Sequence, residues 1–165
     1  MTMKRLNIAL VAHDSRKKEL VEWCTHNVEW LSKHNLFATG TTGKLIENIE
    51  DFNGDLLDDC LYALEKPLYG QVTKLLSGPL GGDQQIGAMI SERMIDVLIF
   101  FCDNLITQGH QQDVGALTRL AALYNIAFAT NRTTADMIVT SPLIEDEEYV
   151  METPKVIETY KNRNL

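Results

Sequence analysis

Three features of this 165-residue sequence are suited to acid–base chemistry on a small anion. The first is Asp83, which follows Ser77-Gly78-Pro79-Leu80-Gly81-Gly82. Glycines immediately before a carboxylate let backbone and side chain approach a substrate carbon closely, and burial strengthens a carboxylate as a base. Capping of a helix is the competing reading, because aspartate is among the best N-caps, but a cap does not require the glycine run. The second feature is His110, in the polar stretch 103–112, where an imidazole can shuttle protons or polarise a carbonyl. An idle loop histidine is the alternative. The third is Thr39-Gly40-Thr41-Thr42-Gly43, which suits phosphate: glycines admit an anion, hydroxyls donate to it, and a following helix points its N-terminus at the charge.

That third segment is not a nucleotide P-loop, since Gly43-Lys44 is followed by Leu45 where Ser or Thr would hold magnesium. Alone, it reads more readily as a glycine turn with a threonine cap. Lys17 can reach back as a point charge for phosphate, or stand solvated beside Arg16 and Lys18. His13 and Asp14 open a similar choice, between rim groups and a strand-end histidine with an ordinary N-cap.

The elements that would position these residues alternate. Residues 6–12 form a nearly continuous apolar run, and 14–31 carry Leu20, Cys24, Val28 and Leu31 at helical spacing. Strands are expected at 36–38, 72–76, 97–101 and 126–129, the fourth of the five being apolar throughout, as a strand covered on both faces must be. Helices are expected at 41–49, 83–94, 113–124 and 133–139, and a last one from Pro154, with proline at its first position. Strands alternating with helices imply a parallel sheet with helices on both faces. In such sheets ligands bind beyond the carboxyl ends of the strands, and every candidate above falls at one of those ends. Residues 47–69 fit less well: Asn53-Gly54 signals a turn, and Leu56, Leu57, Cys60, Leu61 and Leu64 suggest an acidic helical excursion.

Composition narrows the classes. Hydrophobic content of 45% and charged content of 23% belong to an ordinary globular domain. The formal charge of −8 argues against nucleic acid, which needs a basic stripe, while leaving room for a locally positive pocket. Cys24, Cys60 and Cys102 show no metal-ligand spacing and read as packing residues, with no disulfide framework. No apolar run is long enough to cross a membrane, and residues 8–12 are too short for a signal peptide, so a cytoplasmic location is expected.

With these residues assembled, the chain resembles the methylglyoxal synthase family. The likeness rests on Ile8-Ala9-Leu10-Val11-Ala12-His13-Asp14 with Lys17, on Ala38-Thr39-Gly40-Thr41-Thr42-Gly43, on residues 95–101, and on Ala129-Thr130-Asn131. Its most specific part is Leu76-Ser77-Gly78-Pro79-Leu80-Gly81-Gly82-Asp83-Gln84-Gln85-Ile86-Gly87-Ala88. It spans nearly the whole chain apart from the acidic segment at about 48–69.

The resemblance implies one three-layer α/β domain over 1–165, with helices on both faces of a central parallel sheet, assembled as a homohexamer. It implies a lyase that converts dihydroxyacetone phosphate to methylglyoxal and inorganic phosphate through an enediolate, with no metal and no organic cofactor. Asp83 would be the general base and His110 would handle protons at the oxygens, with Asp113 and Asp14 supporting both. Lys17, Thr41, Thr42, Ser77 and Gly78 would hold the phosphate, and His13, Thr39 and Gly40 would line the pocket. Arg163 would reach the phosphate of a neighbouring subunit. Inorganic phosphate would be product and inhibitor, with no nucleic-acid or membrane partner. The competing function is a non-catalytic regulatory module of the same fold that binds a phosphorylated metabolite.

Overall fold

Five parallel strands form one sheet in a computed structural model that describes residues 4–49, 66–106 and 109–163. They are β1 (Asn7–Ala12), β2 (Asn35–Thr39), β3 (Val72–Leu75), β4 (Val97–Phe101) and β5 (Ala127–Ala129), in the spatial order β3-β2-β1-β4-β5. β1 is paired on both sides: Ile8 lies opposite Leu36 and Val97, and Leu10 opposite Ala38 and Ile99. Most of the acidic excursion expected at 48–69 lies outside the described residues, as does Cys60.

The connections are helical: α1 (Lys17–His26) and the short α2 (Val28–Leu31), α3 (Gly40–Glu47), α4 (Gly82–Ser91), α5 (Gln111–Leu123), α6 (Arg132–Thr140) and α7 (Lys155–Lys161). Because strand side chains alternate, β1 serves two cores. Ile8 and Leu10 pack with Leu20, Trp23, Ile46 and Ala135 of α1, α3 and α6. Ala9 and Val11 pack with Ile86, Ile90, Val114 and Leu117 of α4 and α5. β4 divides the same way, Ile99 and Phe101 to the first face and Leu98 and Phe100 to the second, which is why it is apolar at every position. The expected three-layer arrangement is the observed one.

Two helices differ from their expected spans. The segment 14–31 is divided: a 3-10 turn at Asp14–Arg16 leads into α1, which stops where both the backbone and the side-chain amide of Asn27 bond the Trp23 carbonyl. The helix expected over 83–94 ends at Ser91, because Arg93 turns left-handed (φ 63°) and the Met94 N–H returns to the Met89 carbonyl at 2.8 Å. Met94 is therefore exposed rather than part of the apolar stripe. Cys24 and Cys102 are free and buried, and burial pushes the Cys102 thiol up to about 11. Among the described residues no helix is long and apolar enough to cross a membrane.

Trp23 ties α1 to α6: its ring is fully buried and its Nε1–H donates to Asp136 at 2.8 Å. Trp23→Ala is expected to lower the unfolding free energy by about 3–5 kcal/mol, read from denaturant midpoints, without removing any side chain from the site at the far end of the strands.

Candidate active site

The chain leaves β1 toward α1 on one face and leaves β4 toward α5 on the other. Two adjacent parallel strands whose connections diverge open a crevice at their carboxyl ends. A cavity of about 420 Å³ lies there, and it is lined by His13, Asp14, Lys17, residues 39–42, Ser77, Gly78, Asp83 and His110. The candidates read from the sequence thus share one cavity, apart from Asp113 and Arg163. Val11, Ala12, Pro79, Phe100 and Gly109 complete the wall.

Asp83 stands in the first turn of α4, behind Gly81 in the left-handed conformation (φ 111°), and is 2% exposed. It caps nothing: Gly81 holds the N-cap position. A side chain on Gly82 would put its Cβ 2.1 Å from the Leu76 carbonyl oxygen, and one on Gly78 would come within 3.1 Å of Asp83 Oδ1 and His110 Cε1. These glycines therefore let the helix start press against the end of β3 and leave the carboxylate room. Asp83 Oδ2 accepts from His110 Nδ1 at 2.6 Å, while Oδ1 is buried with no partner. A carboxylate only accepts, so the His110 proton sits on Nδ1 and the neutral ring carries its lone pair on Nε2. The result is a buried carboxylate oxygen without a partner, beside an imidazole that can relay a proton.

The loops after β1 and β2 bring to the cavity groups that can accept an anion. Gly40 adopts φ 39°, and a Cβ there would meet Ser77 Oγ at 2.3 Å, so the loop after β2 packs directly against the one after β3. Lys17 donates to Thr41 Oγ1 at 2.7 Å and to Asp14 Oδ1 at 2.5 Å. That bond and the ammonium charge hold the Asp14 carboxyl below the ordinary carboxylate range. Asp14 consequently pairs with the lysine and not with the Asp83–His110 couple. Backbone N–H groups in the first turn of α3 add donors with no side-chain cap of their own.

His13, 5% exposed, stands edge-on to Phe100 and to His110, with ring centroids 5.1 and 5.6 Å away. Burial, followed by the neighbouring His110, lowers its pKa from the ordinary 6.5. Its Nδ1 accepts from the Asp103 backbone N–H at 2.8 Å, and its Nε2 is buried without a partner. Asp103 is anchored in turn by the Ser15 hydroxyl and by the N–H groups of Leu105 and Ile106. The sequence places Asp103 at the end of β4 but carries no sign of its link to His13, and Ser15 carries no signal at all.

Asp113, in the first turn of α5, lies off the cavity. Its carboxylate, Asp83 and His110 each offer a ligand atom within 4.8 Å of the others, the one such group among the described residues. That set could hold a metal ion; in this structure one Asp83 oxygen is already bonded to His110 Nδ1 at 2.6 Å. Arg163 is outside its own chain's cavity, its guanidinium stacked 3.6 Å above the Tyr160 ring.

The fold and this site define a parallel α/β domain in which a carboxylate–imidazole couple shares one cavity with a lysine–threonine rim. Residues 64–130 match the family model described as the MGS-like domain. The chain is 51% identical to the methylglyoxal synthase of Maridesulfovibrio salexigens, over 96% of this chain and 97% of that one. It is 49% identical to that of Proteus mirabilis, over 87% and 83%. The crystal structure of methylglyoxal synthase from Elizabethkingia anophelis NUHP1 superposes with a TM-score of 0.77 at 43% identity, over 100% of this chain and 98% of that one. The chain belongs to the methylglyoxal synthase family and is an enzyme.

Two outcomes check the local geometry. Gly82→Ala, which must displace backbone, is expected to cost about 1–3 kcal/mol in chemical unfolding. For Asp103, the Ser15 bond first and then the Leu105 N–H hold the folded carboxyl below its ordinary 3.8. Its contribution to stability is therefore present above that unfolded-chain value and disappears as pH falls through the lower folded one. Asp103→Ala should accordingly melt earlier than the parent near neutral pH and converge with it in acid.

Proposed function

We propose that this enzyme converts dihydroxyacetone phosphate to methylglyoxal and inorganic phosphate, with Asp83 as the base. The observation that carries the reading is the free, buried Oδ1 of Asp83 in a cavity whose opposite wall is the Lys17–Thr41 rim. Asp83 takes the proton from the carbon bearing the hydroxyl, and the C–H electrons become the double bond of an enediolate. His110 takes the hydroxyl proton as that oxygen becomes an aldehyde. Electrons then pass through the enediolate to the C–O bond of the phosphate ester, which breaks. Phosphate leaves with the proton held on His110, and the enediolate oxygen takes up the proton held on Asp83, so the products are inorganic phosphate and an enol that tautomerises to methylglyoxal.

Elimination, as opposed to isomerisation, requires that C–O bond to stand out of the enediolate plane. Lys17, Thr41, Thr42, Ser77 and Gly78 are suited to hold the phosphate so, and to stabilise the charge that grows on it. Thr39, Gly40 and His13 line the space between, Asp14 orients Lys17, and Asp113 supports His110. No metal and no organic cofactor enter this scheme. The same reading places the enzyme in the cytoplasm as a homohexamer, with Arg163 reaching a neighbouring subunit's phosphate and with inorganic phosphate as inhibitor.

Incubation with dihydroxyacetone phosphate should release phosphate and methylglyoxal in equal amounts. Formation of glyceraldehyde phosphate without free phosphate would show an isomerase, and neither product would show a binding module. Asp83→Asn is expected to lower turnover by ~10²–10⁴-fold in a folded protein. Lys17→Ala should raise KM and weaken inhibition by phosphate together, and unchanged kinetics would remove Lys17 from the site.

A further inference from the structure

The two histidines of the cavity are held in opposite tautomers, and the difference originates outside the residues that line it. A backbone N–H can only donate. The Asp103 N–H bonded to His13 Nδ1 therefore requires that nitrogen to carry the lone pair, and the proton of the neutral ring must sit on Nε2. Protonating Nδ1 as well would set two N–H groups against each other at 2.8 Å. Burial opposes the imidazolium independently. The groups facing the ring are His110 and the carboxylates of Asp83 and Asp103, and the carboxylates oppose that lowering without outweighing it. What remains is a ring favoured in its neutral form, its Nε2–H buried and unpartnered, on a residue that lines the cavity. An unpaired buried donor is costly unless a ligand oxygen completes it.

The arrangement holds only while the Asp103 amide stays in place, and that depends on its own side chain. Asp103 Oδ2 accepts from Ser15 Oγ at 2.5 Å, and Oδ1 accepts from the Leu105 and Ile106 N–H groups at 3.0 and 3.3 Å. Arg16 adds a bond to the Cys102 carbonyl at 3.3 Å. Residues just after β1 thus grip the loop just after β4, across the crevice between the diverging connections. We propose that Ser15 and Asp103 are positioning residues: by clamping these two loops they lock His13 as its Nε2–H tautomer, a donor to the oxygen that becomes negative in the enediolate.

The inference deepens the proposed lyase reaction and rests on it for the identity of that oxygen; the tautomer itself does not. The first test is therefore made without substrate, by long-range proton–nitrogen correlation spectra of the imidazole rings in the full-length enzyme, with His13→Gln assigning the signals. His13 is expected to show the neutral Nε2–H pattern at neutral pH and to keep it as the pH falls through the interval, about pH 6 to 7, in which an ordinary histidine titrates. A proton on Nδ1, or an ordinary titration in that interval, overturns the proposal. Ser15→Ala is expected to give mixed tautomers and to lower kcat by roughly tenfold with KM within about twofold, and Ser15→Thr, which keeps the hydroxyl, should restore both. A folded Ser15→Ala protein with the parent's tautomer and kcat removes Ser15 from the role. Should the spectra match while neither phosphate nor methylglyoxal forms, the reaction assignment fails and the tautomer lock stands.

Discussion

Asp83 has one oxygen bonded and the other left bare in a place closed to water, and the surrounding structure is organised around that asymmetry. A fully bonded carboxylate would be a poor base, and a fully bare one would be expensive to bury. The single bond from His110 resolves the conflict, because it orients the side chain and still leaves Oδ1 without a partner. Gly78 and Gly82 are part of the same solution. Side chains there would strike the carboxylate or the backbone that supports it.

The sheet supplies the space. With β1 and β4 adjacent and their following helices on opposite faces, the loops at their ends part and leave a crevice that no side chain has to be removed to create. Elements on both sides then contribute different chemistry. The face carrying α1 and α3 brings Lys17 and the threonine loop, which suit an anion, and the face carrying α4 and α5 brings Asp83 and His110, which suit a proton. A phosphorylated three-carbon molecule needs both at once, since its reacting carbon and its leaving group lie only a few bonds apart.

Within that crevice the histidines are not interchangeable. His110 is tied to a carboxylate and is fitted to move protons, and His13 is tied to a backbone amide and is fitted to keep one. His110, its ring 5.6 Å from that of His13, adds to the burial that discourages charge on His13.

Much of this was readable in the chain. The apolar runs that become β1 and β4, the glycine string before Asp83 and the threonine–glycine segment 39–43 are local patterns, and local patterns report strands, helix starts and anion loops through short-range sterics and periodicity. Their common location followed from the rule that ligands meet parallel sheets at strand ends. Other features came from tertiary structure alone. The three-residue spacing of Asp14 and Lys17 permits their pair, but nothing near them says that the Asp83–His110 couple forms without Asp14, and nothing near Met94 says that Arg93 will turn the chain before the helix reaches it. His13 meets the amide that sets its tautomer 90 residues further along the chain. Residue types and spacings decide which groups can do chemistry, but the proton each nitrogen carries depends on a donor or acceptor brought within 3 Å by the packing of strands far apart in sequence, and only the folded sheet brings such pairs together.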